Sequence, residues 1–168
     1  MRGGKRLNRD ALSLRGLYEW VQVLVCAVTA TVLLFTFAAR VVLVSGPSMR
    51  ETLQHQDCLL VVNAHLCGGF EAGDIVIIRK ESFKDGEPIV KRVIATEGQT
   101  VDIDFVSGAV YVDGELLEED YINELTFVEE GTEFPLTVPE GCIFVMGDNR
   151  NDSDDSRDST LGPVDTRC

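Results

Sequence analysis

Residues 74–95 read DIVIIRKESFKDGEPIVKRVIA and contain two short runs rich in Val and Ile. Each run has the length of a strand, about four to eight residues, and is bounded by Asp, Gly or Pro. The same pattern recurs in five further segments, 57–63, 99–104, 109–114, 135–139 and 142–148. No apolar stripe with helical spacing continues for three turns beyond residue 40. We therefore predict that the chain from residue 41 onward is mainly β.

Two features between these runs refine that prediction. Asp113 and Gly114 follow Val110-Tyr111-Val112, and an Asp-Gly pair favours a tight two-residue turn between paired strands. Residues 115–133 are acidic and weakly patterned, which is typical of a solvated loop or rim. The glycines are scattered singly at turns, so the sequence contains no glycine-rich phosphate loop.

Length and charge limit what the chain can do. With 168 residues, 45% of them hydrophobic, it has room for one ordinary domain plus an appendage. Residues 1–19 carry five basic and two acidic side chains, whereas residues 41–168 carry nine basic and 26 acidic ones. So acidic a surface repels phosphate backbones, which excludes nucleic acid as a partner.

Residues 20–39 read WVQVLVCAVTATVLLFTFAA and contain no charged side chain. A helix of this length crosses a bilayer core of about 30 Å. Because the basic flank precedes the segment, the positive-inside bias leaves residues 1–19 in the cytoplasm and places residues 41–168 on the outer side. The alternative is a cleaved signal peptide, but the apolar stretch is long for one, and Thr36-Phe37-Ala38 is a poor cleavage site.

Ser48 and Lys91 are the candidate reactive side chains. Gly46 and Pro47 bend the chain just before Ser48, which lifts its hydroxyl out of regular backbone. Strand alternation places Lys91 on the same face as Ile89 and Val93. If that face is the inner one, loss of solvation lowers the pKa of the amine, and a neutral amine can take a proton from a serine. The open alternatives are a structural turn and a solvent-facing lysine.

The other groups of polar residues are weaker candidates for a functional site. Residues 147–157, GDNRNDSDDSR, are too polar for a core, and their Ser and Asp side chains can orient a base, although the spacing does not fit a calcium loop. Neither His55 nor His65 has an Asp at a position that indicates a catalytic triad. Together with Cys58 and Cys67, the two histidines match no common spacing of zinc ligands. Of the cysteines beyond the apolar segment, Cys58, Cys67, Cys142 and Cys168, the first two are candidates for a disulfide.

Four motifs, in order behind the apolar segment, resemble those of bacterial type I signal peptidases, which are serine-lysine proteases. They are SGPSMRETL (45–53), GDIVIIRK (73–80), VKRVIATEGQTVDI (90–103) and MGDNRNDSDDSR (146–157). The resemblance implies a membrane-anchored endopeptidase of the bacterial cell membrane with a domain of two packed antiparallel sheets. It implies no metal or cofactor, and its partners would be secretory preproteins cleaved after small residues, as in Ala-x-Ala.

The resemblance also assigns roles. It makes Ser48 the nucleophile and Lys91 the general base, with Ser153 hydrogen-bonded to the lysine amine. It makes Asp155 and Arg157 a supporting ion pair. The shallow pockets for small side chains would be lined by Val42, Val44, Met49, Leu53 and Val90.

Three departures from the family pattern are visible. Glu51 stands where Pro is usual, which adds a charge near Ser48. Gly46 occupies a position where some members have a serine in the oxyanion hole, so the hole would depend on the Ser48 N–H. Members usually continue into another strand, so an edge of the fold is expected to be missing. Two rival functions remain, a self-cleaving repressor-type serine-lysine protein and a non-catalytic membrane-anchored β domain.

Overall fold

The structure, a computed structural model, describes residues 4–167, without the side chains of residues 4–14, His65 and Cys67. A long helix, α1 (Gly4–Phe37), is followed by mainly β structure. The strands are β1 (Ala39–Leu43), β2 (Cys58–Val62), β3 (Ile75–Ile78), β4 (Ile89–Thr96), β5 (Thr100–Asp104), β6 (Ala109–Val112), β7 (Glu115–Leu116), β8 (Leu136–Thr137), β9 (Cys142–Met146) and β10 (Val164–Asp165). A short helix, α2 (Ala64–Cys67), and a 3₁₀ turn (Lys84–Gly86) lie in the connections.

The strands form three sheets. Two have four strands each, in the orders β10-β9-β4-β3 and β7-β6-β5-β8, and all their pairings are antiparallel. β1 and β2 make a separate two-stranded sheet. Since antiparallel neighbours need only short connections, the sequential strands β3 and β4, or β5 and β6, pair directly.

The two four-stranded sheets share one hydrophobic core. Both contribute to a buried cluster made of Ile94, Ala95, Val101, Ile103, Val110, Val138, Phe144 and Met146. A second cluster, formed by Val76, Ile78, Val93, Ile143 and Val145, belongs to the β3-β4-β9 part of the first sheet. β4 therefore contributes side chains to both clusters, which explains why apolar residues stand on both sides of Lys91 and Arg92 in this strand.

The chain divides into two compact units. The first consists of the chain up to Val41 together with Leu60–Leu66, and the second of Val42–Leu59 with the chain from Cys67 onward. In the first unit, residues 15–37 of α1 are long and apolar enough to cross a membrane, and side chains such as Trp20 and Leu24 are exposed. The second unit contains both four-stranded sheets.

The prediction of mainly β structure beyond residue 40 is confirmed, and each of the seven predicted runs contains a strand. The predicted hairpin is confirmed as well, since Val112 pairs with Glu115 and the turn residues Asp113 and Gly114 both have positive φ. The candidate Cys58–Cys67 bridge is wrong, because the Cys58 thiol is free. Cys168 and the side chain of His65 lie outside the described residues.

Candidate active site

Ser48 lies in a tight turn that we call the serine turn, residues 46–53. Gly46 opens it with φ 98°, a conformation that favours glycine. The backbone then closes on itself, because Arg50 N–H donates to Pro47 C=O at 3.0 Å and Leu53 N–H to Met49 C=O at 2.8 Å. The Ser48 side chain is thereby presented from a short turn rather than from regular strand, as the Gly-Pro pair predicted.

The Lys91 amine contacts the Ser48 hydroxyl. Their Nζ and Oγ atoms are 2.7 Å apart, within hydrogen-bond range, although the two residues are 43 positions apart in the chain. β4 brings Lys91 there, because it pairs with β3 opposite Val76 and with β9 through the neighbouring Arg92. The Lys91 side chain is almost fully buried, with 2% of its surface exposed.

Burial changes the chemistry of this amine. Loss of solvation disfavours the ammonium form and lowers the pKa of Lys91 from 10.5 to about 8. The negative charge of Asp155 opposes this lowering, whereas the nearby positive charge of Lys84 adds to it. A substantial fraction of Lys91 is therefore neutral at mildly alkaline pH, and a neutral amine can accept the hydroxyl proton of Ser48.

The polar loop, residues 147–163 between β9 and β10, holds the other predicted site residues. Arg157 forms a two-pronged ion pair with Asp155, with Nε–Oδ1 and Nη2–Oδ2 distances of 2.9 Å, and both side chains are fully buried. Ser153 Oγ donates to Asp155 Oδ2 at 2.8 Å. Within residues 4–167 the Ser153 hydroxyl is thus bonded to Asp155 and not to the Lys91 amine, which differs from the expected contact.

The polar loop also holds the serine turn in place. The Asn149 backbone N–H donates to the Ser48 carbonyl at 3.0 Å, and the Asn149 side-chain amide donates to the Pro47 carbonyl at 3.2 Å. Next to it, the buried Asp148 carboxylate accepts a short hydrogen bond from the Thr52 hydroxyl. The loop therefore binds both ends of the serine turn.

Arg92 is a site residue that the sequence analysis did not single out. Its guanidinium forms a two-pronged ion pair with Asp148, at 2.8 and 2.7 Å. Two features of the sequence pointed toward Arg92. Strand alternation places it on the opposite face from Lys91, and its partner Asp148 belongs to the polar motif. The pairing itself joins residues 56 positions apart, so periodicity within either segment does not reveal it.

The solvated-loop prediction for residues 115–133 is only partly right. Glu115 and Leu116 form β7, and Glu118 and Glu129 are exposed as expected. Glu119, however, forms an ion pair with the fully buried Arg150. Glu130 lies 3.5 Å from Arg157 and has one buried carboxylate oxygen, Oε2, without a hydrogen-bond partner among the described residues. The acidic composition predicted that these side chains would be exposed to solvent, but buried arginines from the polar loop bind both carboxylates.

The predicted pocket residues differ in burial. Val44 and Met49 are buried, with 4% and 2% of their surfaces exposed, while the others, Val42, Leu53 and Val90, are half-buried. Glu51, in the place of the usual Pro, is exposed on the serine turn. Among the residues that the structure describes, no three His, Cys, Asp or Glu side chains are grouped to hold a metal ion.

Comparison with known sequences places this site in context. The model of the family described as signal peptidase, peptidase S26, matches residues 17–167. A signal peptidase I from Bacillus licheniformis is 36% identical over 159 residues, which cover 90% of this chain and 83% of that protein. A probable signal peptidase I-1 from Synechocystis is 37% identical over 146 residues, covering 82% of this chain and 71% of that protein.

A solved structure is similar as well. The crystal structure of a signal peptidase I from Enterococcus faecalis has 34% sequence identity and aligns with a TM-score of 0.46, covering 58% of this chain and 90% of that one.

Proposed function

The chain belongs to the signal peptidase family, peptidase S26, and we propose that it removes signal peptides from secretory preproteins with a Ser48–Lys91 dyad. The observation that carries the proposal is the 2.7 Å contact between the Lys91 amine and the Ser48 hydroxyl in a buried setting. A nucleophile and its base within hydrogen-bond reach are the minimum that acyl transfer requires.

In the proposed mechanism, neutral Lys91 accepts the hydroxyl proton while Ser48 Oγ attacks the scissile carbonyl carbon. The resulting ammonium then gives that proton to the departing amine as the C–N bond breaks, which leaves an acyl-enzyme. Lys91 next takes a proton from water, and the resulting hydroxide attacks the ester carbonyl carbon. The bond between that carbon and Ser48 Oγ then breaks, the Lys91 ammonium returns its proton to Ser48 Oγ, and the second product leaves as a carboxylic acid. Each step keeps the proton on the lysine or on the group that it faces.

The tetrahedral oxyanion needs a hydrogen-bond donor. Within residues 4–167, the Ser48 backbone N–H donates to no acceptor, so it is available for this purpose. A donor of this kind contributes about 3 kcal/mol to transition-state stabilisation in comparable sites. Gly46 has no side chain and adds no hydroxyl donor, which leaves the backbone as the proposed source.

Ser153, Asp155 and Arg157 are proposed to act indirectly. Their buried hydrogen bonds and ion pair fix a negative charge near the Lys91 amine, which keeps the amine from losing its proton too readily. We assign the preference for small residues, as in Ala-x-Ala, to the apolar side chains close to the dyad in the chain, Val42, Val44, Met49, Leu53 and Val90. Large substrate side chains would clash where such pockets are shallow.

The proposed location follows from α1 and from charge. Residues 15–37 are long and apolar enough to span a bilayer, and the relatives are signal peptidases. We propose a single-pass anchor with residues 1–19 in the cytoplasm and residues 41–168 on the outer side of the bacterial cell membrane. The anchor would hold enzyme and membrane-bound preprotein on one surface.

The test is cleavage of a secretory preprotein by the detergent-solubilised full chain. We expect Ser48→Ala and Lys91→Ala to abolish processing, because each removes one member of the dyad. Lys91→Arg should do the same, because an arginine stays protonated and cannot act as a base. Ser45→Ala, which changes an exposed serine three positions away, should remain active. Cleavage by a dyad variant would overturn the assignment. Self-cleavage alone would favour a repressor-type protease, and an inert wild type would favour a non-catalytic domain.

A further inference from the structure

Residues 117–127, which follow β7, are bound to the polar loop by a compact network. The fully buried Arg150 guanidinium forms a two-pronged ion pair with Glu119, and one of the two contacts measures 2.9 Å. Arg150 also donates to the Thr126 hydroxyl at 3.0 Å. Asn151 accepts from the Phe127 backbone N–H at 3.0 Å. This segment is therefore attached at several points to the residues that follow β9.

Tyr121 lies at the centre of the network. The Arg92 guanidinium carbon lies 4.0 Å from the centroid of its ring, within the range of a strong cation–π contact, and that of Arg150 lies 6.0 Å away. The phenol hydroxyl donates to Glu119 at 3.1 Å. Burial and the neighbouring Glu119 charge raise the pKa of Tyr121, so the hydroxyl stays protonated and remains a donor.

Arg92 connects this ring to the serine turn. Its guanidinium plane meets the Asp148 carboxylate with two hydrogen bonds, at 2.8 and 2.7 Å. Asp148 accepts from the Thr52 hydroxyl, and the next residue of the loop donates its backbone N–H to the Ser48 carbonyl. A rotation of the Arg92 plane would therefore displace the carboxylate to which the serine turn is bound.

Taking the proposed Ser48–Lys91 mechanism as given, we propose that Tyr121 is a positioning residue for the nucleophile. Its ring packs on the guanidinium of Arg92 and keeps it paired with Asp148. This pairing keeps the serine turn in position relative to the polar loop. The Arg92 guanidinium also donates to the Gly73 carbonyl at 2.9 Å, and its side chain retains 11% exposure, so the ring covers a face of the guanidinium that would otherwise be open to water. Tyr121 touches no reacting atom in this scheme and acts through two intervening side chains.

The experiment compares Tyr121→Leu with Tyr121→Phe in the full-length protein, using a preprotein as substrate. We expect Leu to lower kcat about tenfold or more, because a small displacement of the nucleophile is costly, and Phe to keep kcat within about threefold of wild type. KM should change by less than about twofold, since the pocket side chains are unaltered. The pH midpoint of kcat/KM should not move, because Lys91 keeps its surroundings.

Two controls separate positioning from general stability. Tyr111→Leu makes the same change on β6, away from the network, and should leave kcat unaltered. Glu119→Gln, which removes the charge that holds Arg150, should lower kcat, whereas Glu118→Gln at its exposed neighbour should not. If Tyr121→Leu does not fold, the comparison of Glu119→Gln with Glu118→Gln tests whether the network around Tyr121 supports kcat.

The outcomes are distinct. A kcat loss in Tyr121→Leu that Phe restores, with folded protein verified by circular dichroism, supports the proposal. An unchanged kcat in Tyr121→Leu, or a loss that merely follows the unfolded fraction, overturns it. If wild type itself fails to cleave, the proposed function fails instead, and the two failures are thereby distinguished.

Discussion

Lys91 is a cation-forming side chain in a place that disfavours a cation. It shares the Val93 side of β4, next to the second hydrophobic cluster, and its pKa falls to about 8 mainly because water is removed. Asp155 limits the fall, since a carboxylate near the amine favours the ammonium form. The balance leaves an amine with a pKa of about 8, which lies in the range that the proposed general base would need.

The pH dependence of cleavage should report this amine. Because only neutral Lys91 can accept the serine proton, kcat/KM should rise with pH, with a midpoint close to 8. Below the midpoint the rate should fall about tenfold per pH unit, as the neutral fraction does. Initial rates of preprotein cleavage across about pH 6 to 10 would measure this. A profile that is flat through this range would show that no such amine controls the reaction.

Glu130 is a half-buried carboxyl group in this region whose pKa is also shifted. Burial raises its pKa to about 7, and the positive charge of Arg157 only partly offsets the rise, while Asp155 and Asp154 add to it. An acid whose pKa is higher in the folded state than its ordinary 4.5 holds its proton longer when folded. The stability that this proton contributes is therefore complete below pH 4.5 and is lost as the pH rises through 7.

Glu130→Gln should remove this pH-dependent loss. At mildly alkaline pH we expect the variant to be more stable than wild type by about 2 kcal/mol, less than the full pKa shift implies because solvent reaches part of the side chain. At acidic pH the two should be equally stable. Thermal unfolding midpoints at both pH values would measure this, with Glu129→Gln as the exposed control. A stability difference that is the same at both pH values would contradict the prediction.

Among elements, the polar loop is unusual because it is polar and yet buried. Its fully buried side chains include those of two arginines and two aspartates, Asp148, Arg150, Asp155 and Arg157. Buried charges are tolerated only when they are paired and hydrogen-bonded, and each of these four has an oppositely charged partner. The pairing makes the loop rigid, and its backbone can therefore hold the serine turn accurately.

Gly147 shows how closely the loop approaches the site. Its φ is not positive, so backbone strain does not require glycine here, but space does. A Cβ at this position would meet the Ser153 hydroxyl and would lie 2.5 Å from the Ser48 carbonyl oxygen. The Ser153 hydroxyl can rotate away, but the Ser153 Cβ, at 2.6 Å, and the Ser48 carbonyl cannot, so the backbone of the polar loop or of the proposed nucleophile must shift.

Gly147→Ala should therefore impair catalysis more than it impairs folding. We expect cleavage to fall about a hundredfold, the cost of a displacement of the nucleophile by about 1 Å. Gly162→Ala in the same loop is the matched control, because its Cβ has no neighbour within 4 Å although its φ of +56° adds strain. Preprotein cleavage and circular dichroism of both variants would measure the effects. Similar activities for the two variants would contradict the steric argument.

At the scale of the whole molecule, charge and hydrophobicity are separated along the chain. Basic residues precede the apolar stretch of α1, and an acidic β domain follows it. This arrangement favours one orientation in a membrane, because cationic segments are retained in the cytoplasm.

The orientation can be measured with tags at the two ends of the chain. We expect protease added to intact spheroplasts to remove a C-terminal tag and to leave an N-terminal tag protected until the cells are lysed. The N-terminal tag is the internal control for membrane integrity. Protection of the C-terminal tag in intact cells would contradict the orientation proposed for residues 41–168.

The sequence by itself determined the features that depend on neighbours along the chain. Alternation of β-branched residues predicted the strands, the Asp113-Gly114 pair predicted a hairpin, and unbroken apolar composition predicted the spanning segment. Pairing of the two-residue strand β10 with β9 was not predicted, because so short a strand shows no period. Motif order was sufficient for the family, since four spaced motifs carry more information than any one residue.

Only the tertiary structure decided which polar side chains meet. The contacts of Arg92 with Asp148 and Tyr121, of Arg150 with Glu119, and of Ser153 with Asp155 instead of Lys91 were not evident from local pattern. An acidic stretch predicts exposure to solvent, and the sequence does not show that the fold places a buried arginine beside it. The physical reason is that a periodic pattern records which side of an element is apolar, whereas an ion pair depends on where two distant backbones are packed.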